Sequence, residues 1–170
     1  MADRVLIYGV TGSGKTTLAR QLADRTGLPL HIVDDLTWEP GWTAVAPDEQ
    51  RRQITAICAA DQWILDSAYT AWLDVVLART DLIVALDYSR WRSLGRLARR
   101  TLMRALDRRE ICNGNTESFR QAFSRDSIVL WHFRSFARKR DRMRALAADP
   151  TAPDVILLKS PAATRRWLAS

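Results

Sequence analysis

Apolar positions in this chain come in two alternating spacings, short continuous runs and stripes that recur every three to four residues. Residues 4–8 (RVLIY) form a compact apolar run that ends at Gly9 and reads as a buried strand. In residues 15–25, Leu18 and Leu22 fall one turn apart, the spacing of a helix face. Residues 30–33 read as a second strand. Pro47 then opens a helix to residue 60 with Ile54 and Ile57 inward, since the missing N–H of proline is not needed in a first turn. Trp63–Leu65 is a third strand, residues 73–79 a short helix and Leu82–Leu86 a fourth strand. A long helix follows over residues 89–106, with Leu94, Leu97, Ala98, Thr101, Leu102 and Ala105 as its expected buried stripe. Residues 107–117 are irregular, with a turn at Asn113-Gly114. A second helical region covers residues 117–148, with a break near 124–126 and an end at Pro150 and Pro153. Residues 155–158 make a fifth strand and residues 162–168 a closing helix. Short apolar strands separated by helices imply an α/β fold with a five-stranded parallel sheet covered on both faces.

Composition narrows the class. The chain has 170 residues, 47% of them hydrophobic, enough for one sizeable core, so one domain over residues 1–170 is expected. No repeat or low-complexity tract interrupts it. The longest clean apolar run, Leu82–Leu86, is far too short to span a bilayer. The first residues lack a basic-then-apolar leader, which argues against a signal peptide. Cys58 and Cys112 lie far apart without a CxxC pair, and His31 and His132 are isolated. A disulfide framework and a zinc site are therefore not expected, and a cytoplasmic location is. The net charge of +7 is uneven: residues 90–144 hold 16 Lys and Arg against 5 Asp and Glu. Only Lys15, Lys139 and Lys159 are lysines, so the excess is arginine, whose planar fork suits polyphosphate.

Residues 9–16 read Gly9-Val10-Thr11-Gly12-Ser13-Gly14-Lys15-Thr16, the full G-x-x-x-x-G-K-[ST] phosphate loop, placed after a strand and before a helix. Glycines let successive N–H groups turn inward toward phosphate oxygens, and the helix N-terminus adds partial positive charge. Gly12, Ser13 and Gly14 are the expected cradle. Lys15 should reach the β- and γ-phosphates, the Thr16 hydroxyl should ligate Mg²⁺, and Thr17 can add an α-phosphate contact. A GTPase would need Asn-Lys-x-Asp for the base, and this sequence contains no Asn-Lys. In a parallel sheet the ligand lies beyond the carboxyl ends of the strands, where Asp34, Asp35, Asp66 and Asp87 fall. Asp34 is expected to orient the acceptor or take its proton, and Asp66 to hold Mg²⁺ at the end of a Walker B-like strand, with Asp87 its rival.

Longer stretches extend this pattern. They are Gly12-Ser13-Gly14-Lys15-Thr16-Thr17-Leu18-Ala19, then Asp34-Asp35-Leu36-Thr37-Trp38-Glu39-Pro40-Gly41-Trp42, then Trp63-Ile64-Leu65-Asp66 with Tyr69, and the Asp87 strand with its arginine helix. In these the chain resembles the P-loop kinases of the DNA topology modulation protein family, relatives of adenylate kinases. The resemblance implies a three-layer P-loop NTPase fold with strand order 2-3-1-4-5, binding of ATP and Mg²⁺, and phosphoryl transfer to an acceptor it does not identify. One departure stands out. The family's Asp-Gly-Asn-Tyr reads Asp66-Ser67-Ala68-Tyr69 here, without the Arg that in nucleoside monophosphate kinases grips the acceptor phosphate. Against the adenylate-kinase D-R-x-x-x-R helix, Gly95 replaces Asp while Arg96 and Arg100 fill the arginine positions, implying contacts to base and phosphate. Arg92, Arg96, Arg99, Arg100 and Arg104 lie off the expected apolar stripe and lead into a lid-like segment of about residues 107–127. Arg134, Arg138 and Arg142, four apart, are candidate arginine fingers.

The expected catalytic set is thus Lys15, Asp34, Asp66, Arg100 and Arg138, with an adjacent aromatic wall from Trp38 and Trp42. The remaining tryptophans, Trp91 among them, read as packing residues. The expected function is transfer from MgATP to a small-molecule or nucleotide acceptor. The alternative is an ATP-binding nucleic-acid module or a polynucleotide 5′-kinase. It is disfavoured because the arginines alternate with an apolar stripe and not with exposed aromatics.

Overall fold

A computed structural model of the chain describes residues 2–107, 110–111, 115–116 and 128–170. Five strands form one sheet: β1 (Arg4–Gly9), β2 (Leu30–His31), β3 (Trp63–Leu65), β4 (Leu82–Leu86) and β5 (Asp154–Leu158). Counting only these strands, their order is 2-3-1-4-5, and every pairing is parallel. The helices are α1 (Lys15–Thr26), α2 (Val33–Thr37), α3 (Pro47–Ala59), α4 (Leu73–Leu77), α5 (Arg90–Asp107), α6 (Ile128–Ala148) and α7 (Pro161–Ala169), with a 3₁₀ turn at Thr70–Trp72. Two short antiparallel ribbons complete the described residues, Trp38–Glu39 with Thr43–Ala44 and Glu110–Ile111 with Asn115–Thr116.

Strand side chains alternate between faces, and the two faces bury different helices. Leu6, Tyr8, Trp63, Leu65, Ile83 and Ala85 pack with Val33, Ile54, Val76 and Met143 from α2, α3, α4 and α6. Val5, Ile7, Ile64, Val84 and Leu86 pack with Leu18, Ala19 and Leu22 of α1, and Trp167 of α7 closes the same layer. The result is the expected three-layer α/β sandwich. The central strands β1, β3 and β4 are short and apolar because they are covered on both sides.

Several boundaries differ from the sequence expectation. The second strand is only Leu30–His31, because Val33 already starts α2. Asp34 and Asp35 therefore lie in the first turn of a helix. That turn is set where the Val33 N–H donates to Asp66 Oδ1 at 2.9 Å, so a tertiary contact ends the strand early. In α5 the buried stripe is Ser93, Leu97 and Thr101, while Ala98 and Leu102 are exposed. The helix is rotated to put Ser93 and Leu97 against the phosphate loop and α6. Trp91 is 76% exposed instead of packed. The Asn113-Gly114 turn, Cys112, the break near 124–126 and most of the 107–127 segment lie outside the described residues. Among the described residues, no helix is long and apolar enough to cross a membrane.

Candidate active site

The phosphate loop is shaped by close packing as well as by its glycines. Gly12 has φ +79°, and a Cβ there would stand 2.4 Å from the Ser93 carbonyl oxygen and 2.9 Å from Leu97 Cβ. Gly14, at φ +98°, caps the start of α1, and a Cβ on it would meet the Arg96 guanidinium at 2.8 Å. Both positions need a left-handed backbone, and at Gly12 the backbone of α5 leaves no room for a side chain, whereas at Gly14 only the flexible end of Arg96 would have to shift. The buried Ser13 hydroxyl donates to Val10 O at 2.8 Å and closes the loop. The Lys15 ammonium donates to the same carbonyl at 3.3 Å, arching over the cradle. Burial lowers the Lys15 pKa, Arg100 lowers it further, and Asp66 and Asp34 oppose the shift. Thr17 is exposed on the first turn of α1.

Thr16 Oγ1 donates to Asp66 Oδ2 at 2.5 Å, bringing together the two residues expected at the metal. Asp66 is 3% exposed, and burial raises its pKa against the lowering effect of Thr16, the Val33 N–H and Lys15. Asp34 projects from α2 into the same mouth. Tyr69 donates to Asp34 Oδ1 at 2.9 Å, and its oxygen lies 3.3 Å from Thr37 Oγ1. Burial and the Asp34 charge push the Tyr69 phenol upward, so it stays a donor at neutral pH. Tyr69 stacks on the buried Trp72 with ring centroids 5.4 Å apart. The Asp34 carboxylate is thus held by a rigid aromatic pair. Asp35 is exposed and lines a groove of about 550 Å³ with Trp38, Glu39 and Ile57, and Trp38 meets Trp42 edge-on at 5.9 Å.

On the other flank, Arg96 donates to the Ser13 carbonyl at 3.3 Å. Arg100, one turn further along α5, is close enough to Lys15 to shift it. Helix α6 is tied down at three points. Arg140 donates to Asp87 Oδ1 at 2.7 Å, and Arg144 to Asp87 Oδ2 at 3.1 Å. His132 Nε2 lies 2.8 Å from Ser93 Oγ, with the ring among Phe133 and Phe136. Arg142 donates to Thr70 Oγ1 at 3.1 Å. Asp87 is therefore an anchor for α6, while Asp66 is the acid at the phosphate loop.

The structure thus gathers Lys15, Thr16, Asp34, Asp66, Arg96 and Arg100 at one end of the sheet. Arg134 and Arg138, the other expected arginine fingers, are exposed on α6. One residue escaped the sequence reading. Lys139 is half-buried on the inward side of α6, and its charge interacts with Lys15 and Asp34. The signal was present in the spacing of His132, Phe136, Lys139, Met143 and Leu146, a helix stripe with one cation inside it. Tyr69 is the second, since its hydrogen bond to Asp34 joins residues 35 positions apart in sequence.

Among the described residues, no group of three or more His, Cys, Asp or Glu side chains is arranged to hold a metal by itself. The adjacent oxygens of Thr16 and Asp66 are a hard-donor pair of the kind that suits Mg²⁺ shared with phosphates and water. The donor set therefore fits that ion in partnership with a bound nucleotide.

No protein-family model and no curated protein matches the sequence. Solved structures do. Shikimate kinase from Bacteroides thetaiotaomicron aligns over 99% of this chain and 96% of its own, with TM-score 0.58 and 14% identity. A gluconokinase from Sinorhizobium meliloti 1021 aligns over 98% and 94%, with TM-score 0.53 and 15% identity. Deoxyadenosine kinase from M. mycoides, with bound dCTP, aligns over 97% and 96%, with TM-score 0.53 and 10% identity. The likeness runs nearly end to end at low identity, and what it establishes is architecture: the chain has the three-layer P-loop NTPase fold that these kinases share.

Proposed function

We propose that this protein is a P-loop kinase that transfers the γ-phosphoryl group of ATP to the hydroxyl of a small-molecule or nucleoside-like acceptor. The observation that carries the reading is the meeting of Thr16 and Asp66 at the mouth of the phosphate loop, with Asp34 presented beside them. The loop N–H groups and Lys15 hold the β- and γ-phosphates, and Arg96 and Arg100 cover them from α5. Thr16, and Asp66 through water, would hold Mg²⁺, which when bound neutralises charge on the β- and γ-oxygens. Asp34 orients the acceptor hydroxyl in line with the γ-phosphorus. As the acceptor oxygen bonds to phosphorus and the bond to the bridging oxygen of ADP breaks, the hydroxyl proton passes to Asp34. Tyr69 keeps that carboxylate fixed through the transfer. The kinase neighbours act on a sugar acid, shikimate and a deoxynucleoside by their names, and support a hydroxyl acceptor here.

The test is ADP release from MgATP across a panel of sugars, sugar acids, polyols and nucleosides. Asp34→Asn keeps the shape and loses the proton acceptor. It should bind MgATP within a few-fold of wild type and lose roughly 10²- to 10⁴-fold in transfer. Asp35→Asn should change little. Equal turnover by Asp34→Asn and wild type would place the acceptor elsewhere.

A second reading, association with single-stranded nucleic acid, is favoured by one observation. Trp91 stands 76% exposed beside Arg92, Arg96 and Arg99 along a groove of about 530 Å³. An open indole among cations is the combination that stacks bases and holds phosphates. Binding of a fluorescent oligonucleotide that survives moderate salt and is lost in Trp91→Ala would support it.

A further inference from the structure

Lys139 is one of three lysines in the chain, and it lies on α6 between His132, which meets Ser93 beside Gly12, and Arg142, which meets Thr70 next to the Tyr69–Asp34 pair. It lies three residues after the buried Phe136 and four before the buried Met143, on the face of α6 that packs toward the sheet. That face is not free to turn. Arg140 and Arg144 clamp Asp87 on one side of Lys139, His132 meets Ser93 about two turns before it, and Arg142 reaches Thr70. Held there, the Lys139 ammonium feels Lys15 on the phosphate loop and Asp34 on α2, along with Arg138 and Arg142 of its own helix. Two ammonium groups brought together over a phosphate cradle repel each other unless an anion lies between them.

We propose that Lys139 is a catalytic residue that contacts the transferring phosphoryl group from the α6 side, opposite Lys15. This rests on the kinase reading above. It assigns to Lys139 the place that the sequence reading gave to Arg138, whose side chain is exposed. Negative charge on the transferring group spreads over its equatorial oxygens, and a preorganised cation on the flank opposite Lys15 stabilises that charge. Asp34, beside both lysines, keeps the acceptor oxygen on the same line.

The choice of lysine has a consequence that an arginine would lack. Burial, then the Lys15 charge, pull the Lys139 pKa down to about 8, against the opposing pull of Asp34. An anion between the lysines favours the charged amine, so nucleotide binding takes up a proton once the pH exceeds that value. MgATP affinity is then full below pH 8 and falls above it, levelling off once it has lost the several-fold that the Lys139 charge contributes.

The experiment is calorimetry of MgATP binding at pH 7, 8, 9 and 9.5, in buffers of different ionisation enthalpy, on wild type, Lys139→Arg and Lys139→Met. Wild type should lose affinity above pH 8 and show proton uptake there. Lys139→Arg should remove that part of the alkaline loss and of the proton uptake, leaving only what Lys15 contributes. In Lys139→Met, affinity at pH 7 should weaken only several-fold, while the rate of ADP release falls roughly 10²- to 10³-fold. Should the methionine variant fail to fold, the arginine variant still decides through its pH profile. A wild-type alkaline limb that persists unchanged in Lys139→Arg overturns the proposal while leaving the kinase reading intact. Wild type that binds no MgATP at any pH overturns both.

Discussion

The phosphate loop and helix α6 each bring a lysine to the mouth of the sheet, and they do so by different physics. The loop works over a few residues. Gly12 and Gly14 adopt left-handed backbone, Ser13 closes the turn onto Val10, and Lys15 follows at the first position of α1. Its sequence is its geometry. Helix α6 works over the whole chain. Five arginines and one lysine crowd residues 134–144, and local rules leave their facing undecided. Asp87, Ser93 and Thr70, 39 to 72 positions away in sequence, select which cations pair, which reach the site and which stay in solvent. The lesson is that a charge run acquires meaning only through the acids it meets.

The largest effect should come from breaking the local partner. Lys15→Ala removes charge-assisted contacts to two phosphates, each worth roughly 1.5–3 kcal/mol, so MgATP affinity should fall by about 10²-fold or more. Its side chain arches over a loop and packs no core, so the melting temperature should barely move. Calorimetry and thermal denaturation on the same variant check both halves. A large loss of stability would show that Lys15 holds the fold as well as the ligand.

The long-range partner should fail differently. Asp87 is 3% exposed between Arg140 and Arg144, which are themselves half-exposed. Breaking a fully buried pair costs roughly 3–5 kcal/mol, and partial solvation of the arginines brings the expected cost of Asp87→Asn to about 2–3 kcal/mol. Chemical denaturation should read that loss, while the phosphate loop stays formed. Transfer should drop further than MgATP affinity, because α6 loses the register that presents Lys139. An Asp87→Asn variant as stable as wild type would show that α6 is held by Met143 and His132 alone.

The smallest effect sharpens the contrast on α5. Trp91 touches no core, so Trp91→Ala should shift stability by no more than about 0.5 kcal/mol, within the range of ordinary surface changes. A destabilisation beyond about 1 kcal/mol would mean that the indole packs in solution.

Much of the molecule was legible from residues alone. The five strands, their parallel pairing and the phosphate loop follow from apolar runs, glycine spacing and the position of Lys15 and Thr16, all of which act over a few residues. The sequence also placed Asp66 at a strand end, as found, whereas Asp34 lies in the first turn of α2 beyond a strand that stops at His31. What it misjudged lay at contacts between distant segments. The shortened second strand depends on a Val33 N–H captured by Asp66. The rotation of α5 depends on the close approach of the Ser93 carbonyl and Leu97 to Gly12, where no side chain fits. The exposure of Trp91 follows from that rotation. On α6 the stripe of His132, Phe136, Met143 and Leu146 was legible, but not which of the surrounding cations would be paired. Asp87, buried at the end of β4, takes Arg140 and Arg144 as its partners, and with the Ser93 and Thr70 contacts it fixes which face of α6 turns inward, a choice made by residues far away in sequence.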